Sequence, residues 1–326
     1  MKIFFSSKCL EYSQPGHPES PERVKSTYHY LKDKGFEFIE PSPCKDEDIL
    51  LAHSPKLFEE VKGERLFDPD TPSFPGIFEH ARLAAGSATE AAMMCLKGEK
   101  TFSLMRPPGH HATRNRLGGF CYFNNIAIAS LKVKELVEAS LFASPPQRIR
   151  RVGSEPAYRT GRPAYRQTGQ TSLTRDPPRA GKTAIIDFDC HHGNGTEDIF
   201  SGKKDFLYLS LHQSPLYPGT GLRSRGNCLN YPIDSDTNPE QYLAILSKGL
   251  EHVKKFNPDL LAVSAGFDSY RLDPITSLSL EKHTYKEIGE MLSSLNKPLF
   301  AVLEGGYSRD IPECIYQFLT GLMDEG

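Results

Sequence analysis

Six short runs rich in β-branched, aliphatic and aromatic residues punctuate this chain, at 2–6, 101–105, 183–189, 206–212, 260–264 and 298–303. Runs of this length without polar alternation belong to strands covered on both faces, as in a parallel sheet. Between them lie longer stretches with helical character, at 77–96, 124–138, 239–256 and 280–295. Another opens at Ser20-Pro21-Glu22, with Ser20 as the expected N-cap and Pro21 as the first helical residue. Such alternation predicts an α/β fold, a single domain over 1–326 with a multi-stranded parallel sheet and helices on both faces. Ligands bind beyond the carboxyl ends of strands in sheets of this kind. Those ends are where chemistry is to be sought.

Composition removes several other classes. With 38% hydrophobic and 25% charged residues, the chain is neither coiled coil, collagen nor wholly disordered. No apolar run is long enough to span a membrane. Lys2-Ile3-Phe4-Phe5, followed by Ser6-Ser7-Lys8, is too short an apolar core for a signal peptide. A net charge of −2 gives no global reason to expect a nucleic-acid partner. The seven cysteines are scattered, with no Cys-x-x-Cys, so a reduced, cytoplasmic protein is expected.

Polar residues load the strand ends. The run at 101–105 leads into Arg106-Pro107-Pro108-Gly109-His110-His111, and the run at 183–189 into Cys190-His191-His192-Gly193-Asn194-Gly195. The run at 206–212 ends at His212 ahead of Tyr217-Pro218-Gly219, that at 260–264 comes before Asp268, and that at 298–303 before Glu304-Gly305-Gly306-Tyr307. Residues two apart on a strand share a face, so Asp187, Asp189 and His191 are expected to project together. Two carboxylates and an imidazole suit Zn²⁺, with Asp268 the candidate for a ligand from another strand. Two carboxylates plus one His leave positions open for water and substrate, as a catalytic metal requires.

One segment breaks the pattern. Residues 139–181 hold eight Arg, no Lys and two acids, a local charge of +6, with much Pro, Gly, Ser and Thr. They contain a tandem echo, Pro156-Ala157-Tyr158-Arg159 and Pro163-Ala164-Tyr165-Arg166. The expectation is an inserted, disordered surface loop interrupting the single domain.

The motifs together resemble the histone deacetylase family. They read RPPGHHA at 106–112, GGFCYFNN at 118–125, IDFDCHHGNG at 186–195, YPGTG at 217–221, SAGFD at 264–268 and LEGGY at 303–307, in the family's order. The likeness begins at 16–23 (GHPESPER) and reaches the C-terminus, 139–181 excepted. The Asn-Gly after the tandem His and the AGFD wording are similar to the class II and bacterial branch, with its acetylpolyamine amidohydrolases.

The resemblance implies an arginase/deacetylase-like fold and a zinc-dependent amidohydrolase, with Fe²⁺ as the alternative metal. It makes Asp189, His191 and Asp268 the metal ligands and His110 and His111 the tandem histidines beside the reacting water. Asp187 then orients His110, Asn194 partners His111, and Tyr307 hydrogen-bonds the acetyl carbonyl. It further implies Gly119, Phe120 and Tyr217 as walls of a substrate tunnel. A structural K⁺ falls near Asp187, Asp189, His191, Ser210 and Leu211, and Arg23 at an inner pocket. Ile275 stands where a polyamine-specific branch carries Glu, so that device is absent. The implied substrate is acetyl-lysine, an acetylpolyamine or a related small amide. The alternatives are an arginase-like ureohydrolase, which needs more metal-bridging carboxylates, and a non-enzymatic anion or nucleic-acid binder acting through 139–181.

Overall fold

The computed structural model describes residues 1–143 and 181–324. Among them, eight strands form one sheet: β1 (Lys2–Phe4), β2 (Glu37–Ile39), β3 (Thr101–Ser103), β4 (Thr183–Asp187), β5 (Phe206–Gln213), β6 (Cys228–Ile233), β7 (Leu260–Ala265) and β8 (Leu299–Leu303). Their order is β2-β1-β3-β8-β7-β4-β5-β6, and every pairing is parallel. The described helices are α1 (Pro21–Asp33), α2 (Asp46–Ala52), α3 (Pro55–Lys62), α4 (Ile77–Cys95), α5 (Asn125–Ala143), α6 (Asn194–Phe200), α7 (Pro239–Phe256), α8 (Lys282–Ser293) and α9 (Ile311–Met323). The expected α/β architecture is the observed one.

Strand periodicity divides the core into two layers. Ala184 and Ile186 of β4 join Leu209, Leu261 and Val263 on one face, against Leu246 and Leu250 of α7, Ile288 of α8 and Phe318 of α9. Ile185 faces the other way, with Tyr208, Ala262 and Phe300, against Ala85 and Ala88 of α4 and Ile126 of α5. Full burial of each such aliphatic side chain contributes roughly 1.5–3 kcal/mol. Two covered faces explain why the central strands carry no polar alternation.

The two strands not anticipated are the sheet edges. β2 has three residues, with Glu37 exposed and its neighbours half-buried, so it carries no apolar run. β6 contains Pro232, which an edge tolerates because the outer N–H needs no partner there.

Two boundaries shift in ways that matter. The run expected as strand through Asp189 leaves the ladder after Asp187, where Asp189 N–H turns back to Asp187 Oδ1 at 3.2 Å. Helix α5 continues past Glu138 to Ala143, so 139–143 are helix rather than insertion. The rest of the expected insertion, 144–180, lies outside the described residues. The chain returns at Gly181 and Lys182, whose N–H groups both donate to Asp259 Oδ2 at 2.9 Å ahead of β7. This return lies at the amino edge of the sheet, the length of β4, about 13 Å at the usual strand rise, from Asp187.

Chain order sets the location of the site. β3 and β4 are consecutive strands of the inner sheet, yet β8 and β7 lie between them. The carboxyl ends of these four strands therefore converge on one crevice.

Candidate active site

Each of the four strand ends delivers one part of the crevice. Beyond β3, Arg106 is fully buried and anchors the turn, bonding Glu19 Oε1 at 2.5 Å, Glu19 Oε2 at 2.7 Å and the Cys9 carbonyl at 2.7 Å. His110 and His111 follow, their ring centroids 4.0 Å apart. His110 Nδ1 meets Asp187 Oδ2 at 3.1 Å, and His111 Nδ1 meets Asn194 Oδ1 at 2.8 Å. Asp187 also accepts from the buried Tyr208 hydroxyl at 3.0 Å.

Beyond β4 and β7 the structure gathers Asp189, His191 and Asp268, whose ligand atoms lie within 4.8 Å of one another. His191 Nδ1 is 2.8 Å from Asp268 Oδ2 and 3.2 Å from Asp189 Oδ1. Asp187 stands apart from this cluster, because the chain has left the sheet and strand alternation no longer governs. Beyond β8, Gly305 N–H donates to Asp189 Oδ2 at 2.7 Å. A Cβ on Gly305 would lie 2.4 Å from Asp268 Oδ2, so only glycine admits this approach.

These parts line a cavity of about 280 Å³ with His110, His111, Asp189, His191 and Tyr307 in its wall. Gly119, Phe120, Tyr217 and Ile275 line it too, joined by Pro18 and Pro108 from the motifs at 16–23 and 106–112 and by Asp70 and Leu216, which no motif marked. Gly119 has φ +56°, and a Cβ there would press to 2.4 Å from the His111 ring. The Tyr217 ring stands edge-on to His111 at 5.0 Å, and Phe120 edge-on to Tyr307 at 5.9 Å.

Behind the cavity, Arg23 lies 4.6 Å from the Tyr307 ring centroid and donates to the carbonyls of Gly306 at 2.6 Å and Glu304 at 2.5 Å. Ser210 stands opposite Asp187 in register on β5, with Leu211 beside it, and shares a hydrogen bond of 2.8 Å with His212 Nδ1.

Two further carboxylates had no assigned role. Glu304 accepts from the N–H groups of Gly109 and His110, and Asp273 Oδ2 from those of Tyr307 at 2.7 Å and Ser308 at 3.2 Å. Burial pushes both up to about 7, with the Asp268 charge adding to the effect on Asp273.

Electrostatics separates the tandem histidines. Burial alone lowers His110, but the charges of Asp189 and Asp187 overcome it and push it up to about 10. Burial also lowers His111, and there the positive charges of His110 and His191 drive it further down, well below the usual imidazole value. His191 is lowered by burial yet raised to about 10 by its hydrogen bonds to Asp189 and Asp268. Burial and the neighbouring Asp189 charge raise Asp268. Burial holds the Tyr307 phenol well above its ordinary range, so it stays a donor. A neutral imidazole, a cationic imidazole and a phenol thus surround a carboxylate–imidazole cluster. That set suits hydrolysis of an acyl group.

The family model for the histone deacetylase domain matches residues 17–140 and 173–322. The chain belongs to the histone deacetylase family. A probable deacetylase of Archaeoglobus fulgidus is 34% identical over 332 residues, covering 94% of this chain and 81% of that protein. The acetylpolyamine amidohydrolase of Mycoplana ramosa is 30% identical over 275 residues, covering 80% and 67%. Among solved structures, the HDA15 HD domain superposes with a TM-score of 0.80 at 27% identity, covering 100% of this chain and 91% of that one.

Membership of the histone deacetylase family makes the chain a hydrolase acting on amide bonds. The ureohydrolase alternative and a purely non-enzymatic role fall away, while the anion or nucleic-acid binding expected of 139–181 falls almost wholly outside the described residues. Among the described residues a single three-residue cluster is suited to a metal, without the extra bridging carboxylates that a ureohydrolase site needs. No described helix is long and apolar enough to cross a membrane.

Proposed function

We propose that this histone deacetylase family member removes acetyl from an acetylated amine, either acetyl-lysine or an acetylpolyamine, with Zn²⁺ held by Asp189, His191 and Asp268. The carrying observation is that buried three-ligand cluster, two of whose members, Asp189 and His191, line the cavity that also holds His110, His111 and Tyr307. The donor set fits: two carboxylates and a His Nδ1 are a catalytic zinc complement, and Fe²⁺ takes the same donors. When bound, the metal supplies a water of lowered pKa and polarises the acetyl carbonyl. The structural K⁺ that the resemblance implies at Asp187, Asp189, His191, Ser210 and Leu211 belongs to the same proposal.

The chain's own groups divide the remaining work. Asn194 occupies Nδ1 of His111, which leaves Nε2 to accept the proton of the attacking water. Low basicity keeps that imidazole neutral and ready. His110, whose Nδ1 bonds the Asp187 carboxylate, supplies the proton that the departing amine requires. Tyr307 donates its hydroxyl hydrogen to the oxyanion as charge develops. Gly119, Phe120 and Tyr217 exclude water from an extended aliphatic chain, and Arg23 braces the tyrosine turn from behind.

Turnover of an acetyl-lysine amide, acetylputrescine and acetylspermidine, measured side by side on zinc- and iron-loaded protein, tests this reading. Hydrolysis of none of them by either form would sink it.

A further inference from the structure

Glu304 is the first residue beyond β8 and is fully buried. Its carboxylate bonds none of the three clustered ligand side chains. Oε2 accepts from Gly109 N–H at 2.7 Å and from His110 N–H at 3.1 Å, and Oε1 accepts from the Ser264 hydroxyl at 3.0 Å. Its backbone N–H donates to the Ala265 carbonyl at 2.9 Å. One residue thereby ties the ends of β3, β7 and β8, the strands that carry the tandem histidines, Asp268 and Tyr307.

Packing alone does not account for this choice. A buried carboxylate is costly unless it is paired or well bonded, and among the described residues Glu304 has no cationic ion-pair partner. Its bonds go instead to two consecutive N–H groups at the turn from which His110 and His111 project. A single oxygen facing both constrains two successive peptide planes, Pro108–Gly109 and Gly109–His110. Those planes set where both rings start.

We propose that Glu304 is a positioning residue for the tandem histidines, holding their backbone so that His110 reaches Asp187 while His111 reaches Asn194. Its effect on rate rests on the deacetylase reading above, but its effect on the backbone does not. The contact distances of 3.1 Å and 2.8 Å to Asp187 and Asn194 leave little slack, because displacement of a reacting group by about 1 Å can cost on the order of 10²-fold in rate.

Three variants separate positioning from bulk stability. Glu304→Gln keeps an oxygen for the two N–H groups and turns an amide N–H toward Ser264. Glu304→Ala removes both functions, and Glu304→Asp keeps the charge but withdraws the oxygens by one methylene. The readouts are kcat and KM on an acetyl-lysine amide, metal per chain, and amide hydrogen exchange of peptide 106–112 in metal-free protein.

The expected result for Glu304→Ala is a kcat lowered by about 10–10²-fold, with KM and metal content as in the parent and faster exchange confined to 106–112. Glu304→Gln should restore both rate and protection. If the Ala variant does not fold, Glu304→Asp carries the same expectation in milder form. Loss of metal in step with kcat, faster exchange throughout the chain, or a Gln variant as impaired as Ala overturns the proposal. So does an Asp variant that behaves like the parent. A parent protein inactive on every acetylated amine would defeat the deacetylase reading alone, since the exchange comparison stands without turnover.

Discussion

His111 Nδ1 lies 2.8 Å from the side-chain carbonyl oxygen of Asn194, a neutral partner, where His110 faces the carboxylate of Asp187. That single difference in the partner helps give two adjacent imidazoles opposite protonation states. His111→Ala should therefore cost more turnover than His110→Ala, if His111 is the base that takes the proton of the attacking water as proposed. Loss of such a group typically costs on the order of 10²–10⁴ in rate. The kcat of the two variants on one substrate decides the matter, and the reverse ranking would exchange the roles.

Removing any one of Asp189, His191 or Asp268 leaves two ligands where three converge within 4.8 Å. Each Ala variant should purify with little bound metal and no turnover while keeping the parent's far-UV circular dichroism. Elemental analysis checks this. Full occupancy in Asp268→Ala would remove that residue from the ligand set.

Tyr307→Phe keeps the ring beside Phe120 and above Arg23 but deletes the hydroxyl. A donor acting only on charge that develops during reaction is worth about 10²–10³ in kcat. KM should change little. Steady-state kinetics with unaltered kcat would refute the assignment.

His53 gives a pH-dependent stability that is separate from catalysis. It is fully buried, its Nδ1 hydrogen-bonded to the Thr113 carbonyl at 2.9 Å and its Nε2 accepting from Asn124 N–H at 2.8 Å. Burial lowers its pKa from 6.5 to about 4. The unfolded chain binds the proton below about pH 6.5 and the folded chain only below about pH 4. Stability is therefore full above the higher value and falls as pH drops through this window, by on the order of 3 kcal/mol. Chemical denaturation across that range should show the loss in the parent and a shallower one in His53→Gln. Equal slopes would assign the effect elsewhere.

The Arg-rich segment follows α5 in the chain and precedes β4, which begins at the end of the sheet opposite the site. Replacing 144–180 by a short Gly/Ser linker between Ala143 and Gly181 should preserve metal content and turnover, because closure entropy changes by only about 0.6 kcal/mol per doubling of loop length. An insoluble or inactive product would make the segment an integral part of the fold.

The chain's local chemistry settled the architecture. Buried β-branched runs between helical stretches specify a covered parallel sheet, because only two-sided burial tolerates strands such as 183–187 without polar positions. The same reading located the clusters at strand ends, and six ordered motifs sufficed to assign the family. The edge strands β2 and β6 were silent, since half-exposed strands need no apolar run.

Tertiary structure alone decided which neighbours in sequence became partners in space. Asp187 and Asp189 are two residues apart, yet one turns to His110 and the other to His191 and Gly305. Glu304 and Asp273 took up backbone N–H groups from other loops, Glu304 from residues nearly two hundred positions away, and no local pattern encodes such a bond. Periodicity reports the side of an element that is buried. The direction in which a strand-end side chain points depends on where the other strands finish, and that is fixed only when the sheet closes over its core.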